Sequence, residues 1–120
     1  MSSSQLKAII APSLLSCDFG KLGEESNSII KKGADWLHCD VMDGHFVNNI
    51  TIGPMIIKSI RNHVGNDAFL DCHLMISNPS KYIEEFYKSG ASQLTLHIET
   101  LGLSYFYNQT NPILLIILIR

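Results

Sequence analysis

Three short apolar runs, each set off by a segment with helical signals, constrain this chain more than anything else in it. Residues 36–41 (WLHCDV), 68–76 (AFLDCHLMI) and 92–98 (SQLTLHI) read as strands, and residues 6–12 (LKAIIAP) read as a buried first strand before them. Between the first two, Asp18 is placed to cap a helix over 18–32. Phe19, Leu22, Ile29 and Ile30 lie near one stripe of it, with Glu24 and Glu25 early, Lys31 and Lys32 late and Gly33 as the stop. Gly53-Pro54 opens a second helix that carries Met55, Ile56, Ile57 and Ile60 inward until a polar loop at 62–67. Asn78-Pro79 starts a third helix, with Tyr82, Ile83, Phe86 and Tyr87 as its apolar residues and Gly90 closing it after Ser89. Strand and helix alternating at this spacing predict βαβ units and an α/β fold with a parallel sheet. Lys32-Gly33-Ala34 and Ser89-Gly90-Ala91 echo each other two units apart, as a repeating barrel would give.

The run at 36–41 is also where chemistry concentrates. Side chains on a strand alternate with a period of two, so His38, Asp40 and Met42 share one face while Leu37, Cys39 and Val41 share the other. An imidazole and a carboxylate at i and i+2 suit a divalent metal ion, and Asp43-Gly44 makes a turn directly after them. Strand ends that stop at such turns are where α/β folds build their sites. The next strand repeats the pattern with Asp71, His73 and Met75 on one face, and the one after it with Thr95, His97 and Glu99.

A chain of 120 residues holds one domain at most. A net charge of -2 gives it no push toward nucleic acid or acidic lipid. The three cysteines, Cys17, Cys39 and Cys72, are odd in number and lie in or beside apolar runs, which fits free thiols in a reducing compartment, with cytoplasm the default. The N-terminus MSSSQLK has no basic n-region, so no secretory signal is read.

The stretches APSLLSCDFGKL, LHCDVMDGHFVNNITIGP and DCHLMISNP resemble the signatures of the ribulose-phosphate 3-epimerase family, over about residues 6–100. The resemblance implies a (β/α)8 barrel with its active site at the C-terminal strand ends, of which this chain would supply about four N-terminal βα units with parallel strands. It implies interconversion of D-ribulose 5-phosphate and D-xylulose 5-phosphate in the pentose phosphate pathway. Carried over residue by residue, it makes His38, Asp40 and His73 ligands of one divalent metal, zinc or iron before manganese or cobalt. Asp40 doubles as an acid/base group, Ser13 and His73 contact the substrate, and Met42 and Met75 belong to a cap of thioethers over the reacting carbons. The partner it implies is a small sugar phosphate, with a homo-oligomer in the full-length family.

The same resemblance implies a second aspartate on the seventh strand and glycine-rich phosphate loops after later strands, which have no counterpart among these 120 residues. The expectation is therefore three ligands, one base and no phosphate grip, from the N-terminal half of a barrel at 1–100 followed by an atypical hydrophobic tail at 101–120. Asp71 does not stand in for the absent aspartate, because it lies two residues, roughly 7 Å, deeper in its strand than His73. A related barrel, orotidine-phosphate decarboxylase, is disfavoured: its third-strand Asp-x-Lys-x-x-Asp array meets His73 and Ile76 at the lysine and second aspartate. A noncatalytic truncated product is the alternative of another class, motivated by the change of character after Thr100. The tail carries seven unbroken aliphatics, Ile113 to Ile119, before Arg120, a run too short for a bilayer, and a globular chain would hide it as a buried strand. His97 reads as a structural hydrogen-bonding group before a substrate contact, His45 as a loop residue and His63 as a solvated imidazole.

Overall fold

A computed structural model of the chain describes residues 7–101 and 115–119. Four parallel strands form one sheet in the order of the sequence: β1 (Trp36–Met42), β2 (Phe69–Met75), β3 (Gln93–His97) and β4 (Leu115–Ile119). Each of the first two is followed by a helix, α2 (Pro54–Val64) and α3 (Ile83–Lys88), and α1 (Leu22–Lys31) precedes β1. Parallel neighbours need such crossovers, so the predicted α/β alternation is the architecture observed.

The sheet has two unlike faces. Leu37, Cys39, Val41, Leu70, Cys72, Leu74, Leu94 and Leu96 point into one cluster with Ile57 and Ile60 of α2 and Phe86 of α3, and Leu22, Ile29 and Ile30 of α1 pack against it. Full burial of each large aliphatic there contributes about 1.5–3 kcal/mol. The other face carries His38, Asp40, Met42, His73, Met75, Thr95 and His97, all half-buried. The period-two pattern thus divided packing from chemistry as expected.

Local signals placed the helices well. Asp18 accepts from the Gly20 amide and caps a 3-10 turn at Phe19–Lys21 that leads into α1, whose first turn holds Glu24 and Glu25. Pro54 takes the first turn of α2, and Gly65 ends it at φ +81, a left-handed value that suits glycine. The third helical segment is a 3-10 turn at Pro79–Lys81 followed by the short α3.

Three expectations are corrected. Residues 7–12 are extended beside β1 but form no strand: Trp36 and His38 donate to the carbonyls of Ile10 and Pro12, and a single parallel bridge joins Ser13 to His38. The return bonds fail because Pro12 has no amide hydrogen and the Ile10 amide donates instead to Asp35 Oδ2 at 2.9 Å. Met55 does not face inward; it is 77 % exposed, because the buried stripe of α2 runs through Ile57 and Ile60, three residues apart. The aliphatic tail does yield a strand, β4, but Ile117 on it is exposed: its register partner is Thr95, which puts it on the face opposite the packed core, and among the described residues β4 pairs only with β3. The rest of the tail, 102–114 and 120, lies outside the described residues.

The described cysteines are free thiols, with Cys39 and Cys72 buried and Cys17 partly so. Among the described residues no helix is long and apolar enough to cross a membrane.

Candidate metal centre

The register of the sheet assembles the site. Asp40 of β1 pairs with His73 of β2, and His38 lies one rung below beside Asp71. On the same face of adjacent parallel strands, His38, Asp40 and His73 each offer one ligand atom, all within 4.8 Å of one another. Asp40 Oδ1 stands 3.1 Å from His38 Nε2 and 3.7 Å from His73 Nδ1. Its other oxygen, Oδ2, accepts from the Ser13 hydroxyl at 2.5 Å. The extended segment before α1 therefore delivers Ser13 to the site even without becoming a strand.

The donor set fits a divalent cation. His38 has a carboxylate oxygen against each ring nitrogen: Nδ1 lies 2.7 Å from Asp71 Oδ2 and Nε2 faces Asp40 Oδ1. A neutral imidazole has one N–H, so it cannot donate to both. A protonated ring would satisfy both oxygens, and a neutral ring protonated at Nδ1 leaves an Nε2 lone pair that could serve a divalent cation. In the metal-free protein the hydrogen bond to Asp71 is the main force holding the His38 pKa above its ordinary value, against the opposing effect of burial. Burial pushes the Asp71 carboxyl up, but the hydrogen bonds from His38 and Gln93 outweigh it and leave it net lowered. Burial, together with the neighbouring His97 and His38, lowers the His73 pKa, which favours the neutral ring that can give a lone pair. Two imidazoles and a carboxylate suit a divalent metal ion.

Around this group are residues that sequence reasoning placed elsewhere or missed. Asp71 does not act as a fourth ligand but holds His38 from below. His97 reaches His73 with Nε2 to Nε2 at 2.9 Å, has Glu99 Oε1 3.6 Å from Nδ1, and is covered by Phe46 with ring centroids 4.8 Å apart. The expected structural hydrogen bond of His97 thus falls on His73 of the candidate metal group. Thr51 donates its hydroxyl to the Asp40 carbonyl and accepts from the Met42 amide, clamping the end of β1. Asp43 accepts from the amides of His45, Phe46 and Ser77, tying the loop after β1 to the loop after β2. These bonds, led by that from Ser77, hold its carboxyl far below the usual range. The signal for Asp43 was its place before a glycine turn; alternation put Asp71 on the site face, but its pairing with His38 existed only in the register. Met42 and Met75 are register partners at the strand ends, one rung above Asp40 and His73. His45 and His63 stay out of the site: the first rests on its own turn, the second on the Ser59 carbonyl within α2.

Residues 9–110 match the family model described as Ribulose-phosphate 3 epimerase family. The chain belongs to the ribulose-phosphate 3-epimerase family. It is 56 % identical over 92 residues to the cytoplasmic isoform of ribulose-phosphate 3-epimerase from Oryza sativa subsp. japonica, covering 77 % of this chain and 40 % of that protein. It is 53 % identical over 90 residues to the Bacillus subtilis (strain 168) enzyme and 48 % identical over 91 residues to that of Escherichia coli (strain K12). Those alignments cover 75 % and 76 % of this chain and 41 % and 40 % of the two relatives. The chain therefore spans well under half the length of the curated relatives it matches. Ribulose-phosphate 3-epimerases are (β/α)8 barrels, and the parallel sheet with its helices is part of one.

Proposed function

We propose that this site is the metal-binding and base-bearing part of a ribulose-phosphate 3-epimerase, acting on D-ribulose 5-phosphate and D-xylulose 5-phosphate by proton removal at carbon 3. The observation that carries the reading is the convergence of His38, Asp40 and His73 within 4.8 Å at the C-terminal end of two paired parallel strands. A divalent cation held by these three residues, zinc or iron before manganese or cobalt, would act as a Lewis acid toward the negative charge that develops on the substrate oxygens.

The residues of the chain do the rest. Asp40 has one oxygen turned to the two imidazoles and the other toward Ser13, so its orientation toward a bound sugar is set from both sides. A carboxylate so held takes the carbon 3 proton on one face of the enediolate. Release of that carboxylate oxygen by the Ser13 hydroxyl, which can turn to a substrate oxygen, accompanies binding. His73 lines the same surface, and the paired thioethers of Met42 and Met75 give the carbon chain a polarisable, water-excluding cover. Completing the inversion needs an acid on the opposite face and a phosphate grip. We assign both to the part of the family's fold beyond the matched segment, and the domain 1–100 to the N-terminal half of that barrel. The free thiols fit a cytoplasmic setting.

Exchange of the carbon 3 hydrogen for deuterium needs one base only, so it tests the chain as it stands. Ribulose 5-phosphate in heavy water with zinc-loaded chain should lose its carbon 3 proton signal in a chelator-sensitive way. Asp40→Asn should slow that loss about 10²-fold to 10⁴-fold. Exchange that ignores the chelator, or that proceeds at the parental rate in Asp40→Asn, would overturn the assignment.

A further inference from the structure

We propose that Asp71 is the positioning residue of the metal centre: braced by Gln93, it holds His38 in the tautomer whose Nε2 lone pair is free for the ion. The inference rests on the metal-centre reading above and adds to it a residue that touches neither ion nor substrate.

His38, Asp71 and Gln93 are register partners on three successive strands, so they form one rung that crosses the sheet directly beneath Asp40 and His73. The contacts along it are short. His38 Nδ1 donates to Asp71 Oδ2 at 2.7 Å, and Gln93 Nε2 donates to Asp71 Oδ1 at 2.8 Å, with the Thr95 hydroxyl 3.5 Å from that same oxygen. Asp71 is 7 % exposed and Gln93 2 %, and a buried carboxylate is tolerated only when donors surround it.

An ionised carboxylate only accepts, and of the two that face the ring Asp71 stands nearer, 2.7 Å against 3.1 Å for Asp40, so the single proton of the neutral ring goes to Nδ1 and Nε2 is left bare. That is the nitrogen facing Asp40 Oδ1. Gln93 adds the bracing. Its amide nitrogen is spent on Asp71 while its Oε1 is buried with no hydrogen-bond partner among the described residues. A glutamine kept in a buried position with half its amide unsatisfied is explained by the bond it does make. With Asp71 pinned at Oδ1, its other oxygen has no freedom to leave His38, and the imidazole cannot rotate away from the ion without losing its one neutral-state hydrogen bond.

The substitution that isolates this role is Asp71→Asn, which keeps the shape. With Gln93 still donating to Oδ1, the new amide group turns its NH2 toward His38 Nδ1 and favours the tautomer with the proton on Nε2, the wrong one for a ligand. Contacts of this kind behind a metal-bound histidine typically change affinity 10-fold to 100-fold.

Two readouts test it in the full chain. Long-range nitrogen–proton NMR of histidine-labelled, metal-free parent chain, above the pH at which the ring titrates, should show His38 protonated at Nδ1. Competition with a chromogenic chelator should show zinc bound about 10-fold to 100-fold more weakly by Asp71→Asn, with His38 shifted toward the Nε2-protonated form. Parent His38 protonated at Nε2, or an Asp71→Asn chain that binds zinc within about twofold of the parent, would overturn the positioning role while leaving the metal centre standing. A parent chain with the Nδ1 tautomer but no zinc binding would refute the metal centre itself, and the metal-orienting role with it.

Discussion

Replacing Arg61 by methionine should destabilise the fold strongly for a single, partly exposed side chain. Arg61 leaves α2 near its C-terminus and serves two loops at the end of the sheet opposite the metal centre. Its Nη1 donates to the carbonyls of Gly65 at 2.6 Å and Ala68 at 2.7 Å, just before β2. Its Nε and Nη2 donate to the Gly90 carbonyl at 3.0 and 2.6 Å, and Nη2 also to the Ser92 hydroxyl at 3.1 Å, just before β3. Burial lowers its pKa, but a guanidinium starts so high that it stays charged at any ordinary pH. Methionine keeps the apolar stem and removes every donor. The Gly65 carbonyl is exposed and regains water, whereas those of Ala68 and Gly90 are partly buried and each lose about 1–3 kcal/mol of satisfied hydrogen bonding. Partial rehydration of these two trims the sum to about 2–4 kcal/mol, a large share of the 5–15 kcal/mol that holds a domain together. With a urea m-value of about 1.5 kcal/mol/M, the unfolding midpoint should drop by roughly 1–3 M. Lys58→Met, on an exposed position of the same helix, should shift it by no more than about 0.3 M. An Arg61→Met midpoint as close to the parent as that control would mean that water serves those carbonyls as well as the guanidinium does. The clamp would then be refuted.

Gly90→Ala should also destabilise, by at least about 1–3 kcal/mol in thermal or urea unfolding, because Gly90 sits at φ +101 and a Cβ there would lie 2.7 Å from Arg61 Cγ; an unchanged midpoint would argue against both causes. Asp43→Asn should raise hydrogen exchange at the Ser77 amide, which donates to Asp43 at 2.8 Å. The depressed carboxyl of Asp43 fixes the sign of its pH dependence: its contribution is full above the ordinary aspartate pKa near 4 and is lost as pH falls below that toward the lower folded value. Carboxyl carbon NMR at about pH 3 should find Asp43 still ionised, and a protonated group there would contradict the three-amide geometry.

Much of this arrangement could be read along the chain because it depends on local spacing. Alternation placed His38, Asp40 and Met42 opposite Leu37, Cys39 and Val41, and the sheet keeps that division. Pro54 and Gly90 began or ended helices for reasons internal to a few residues, whereas α2 runs to Val64, into the loop expected over 62–67, before Gly65 stops it. The first strand failed where local reasoning weighs apolar content but not amide supply: Pro12 and the diverted Ile10 amide break a ladder that the hydrophobicity of residues 6–12 suggested. Met55 failed because an apolar residue in a helix need not lie on the buried stripe.

Sequence alone determined the residue types that can meet a cation, the faces they occupy and the strand ends at which they stand, since periodicity and turn chemistry act over a few residues. Only the tertiary structure decided which rung each shares. The pairing of β1 with β2 sets Asp40 beside His73 and His38 beside Asp71, and that of β2 with β3 brings Gln93 to Asp71. A slip of one residue would turn each of these side chains to the other face, and register depends on contacts between segments more than 20 residues apart, which no local pattern contains.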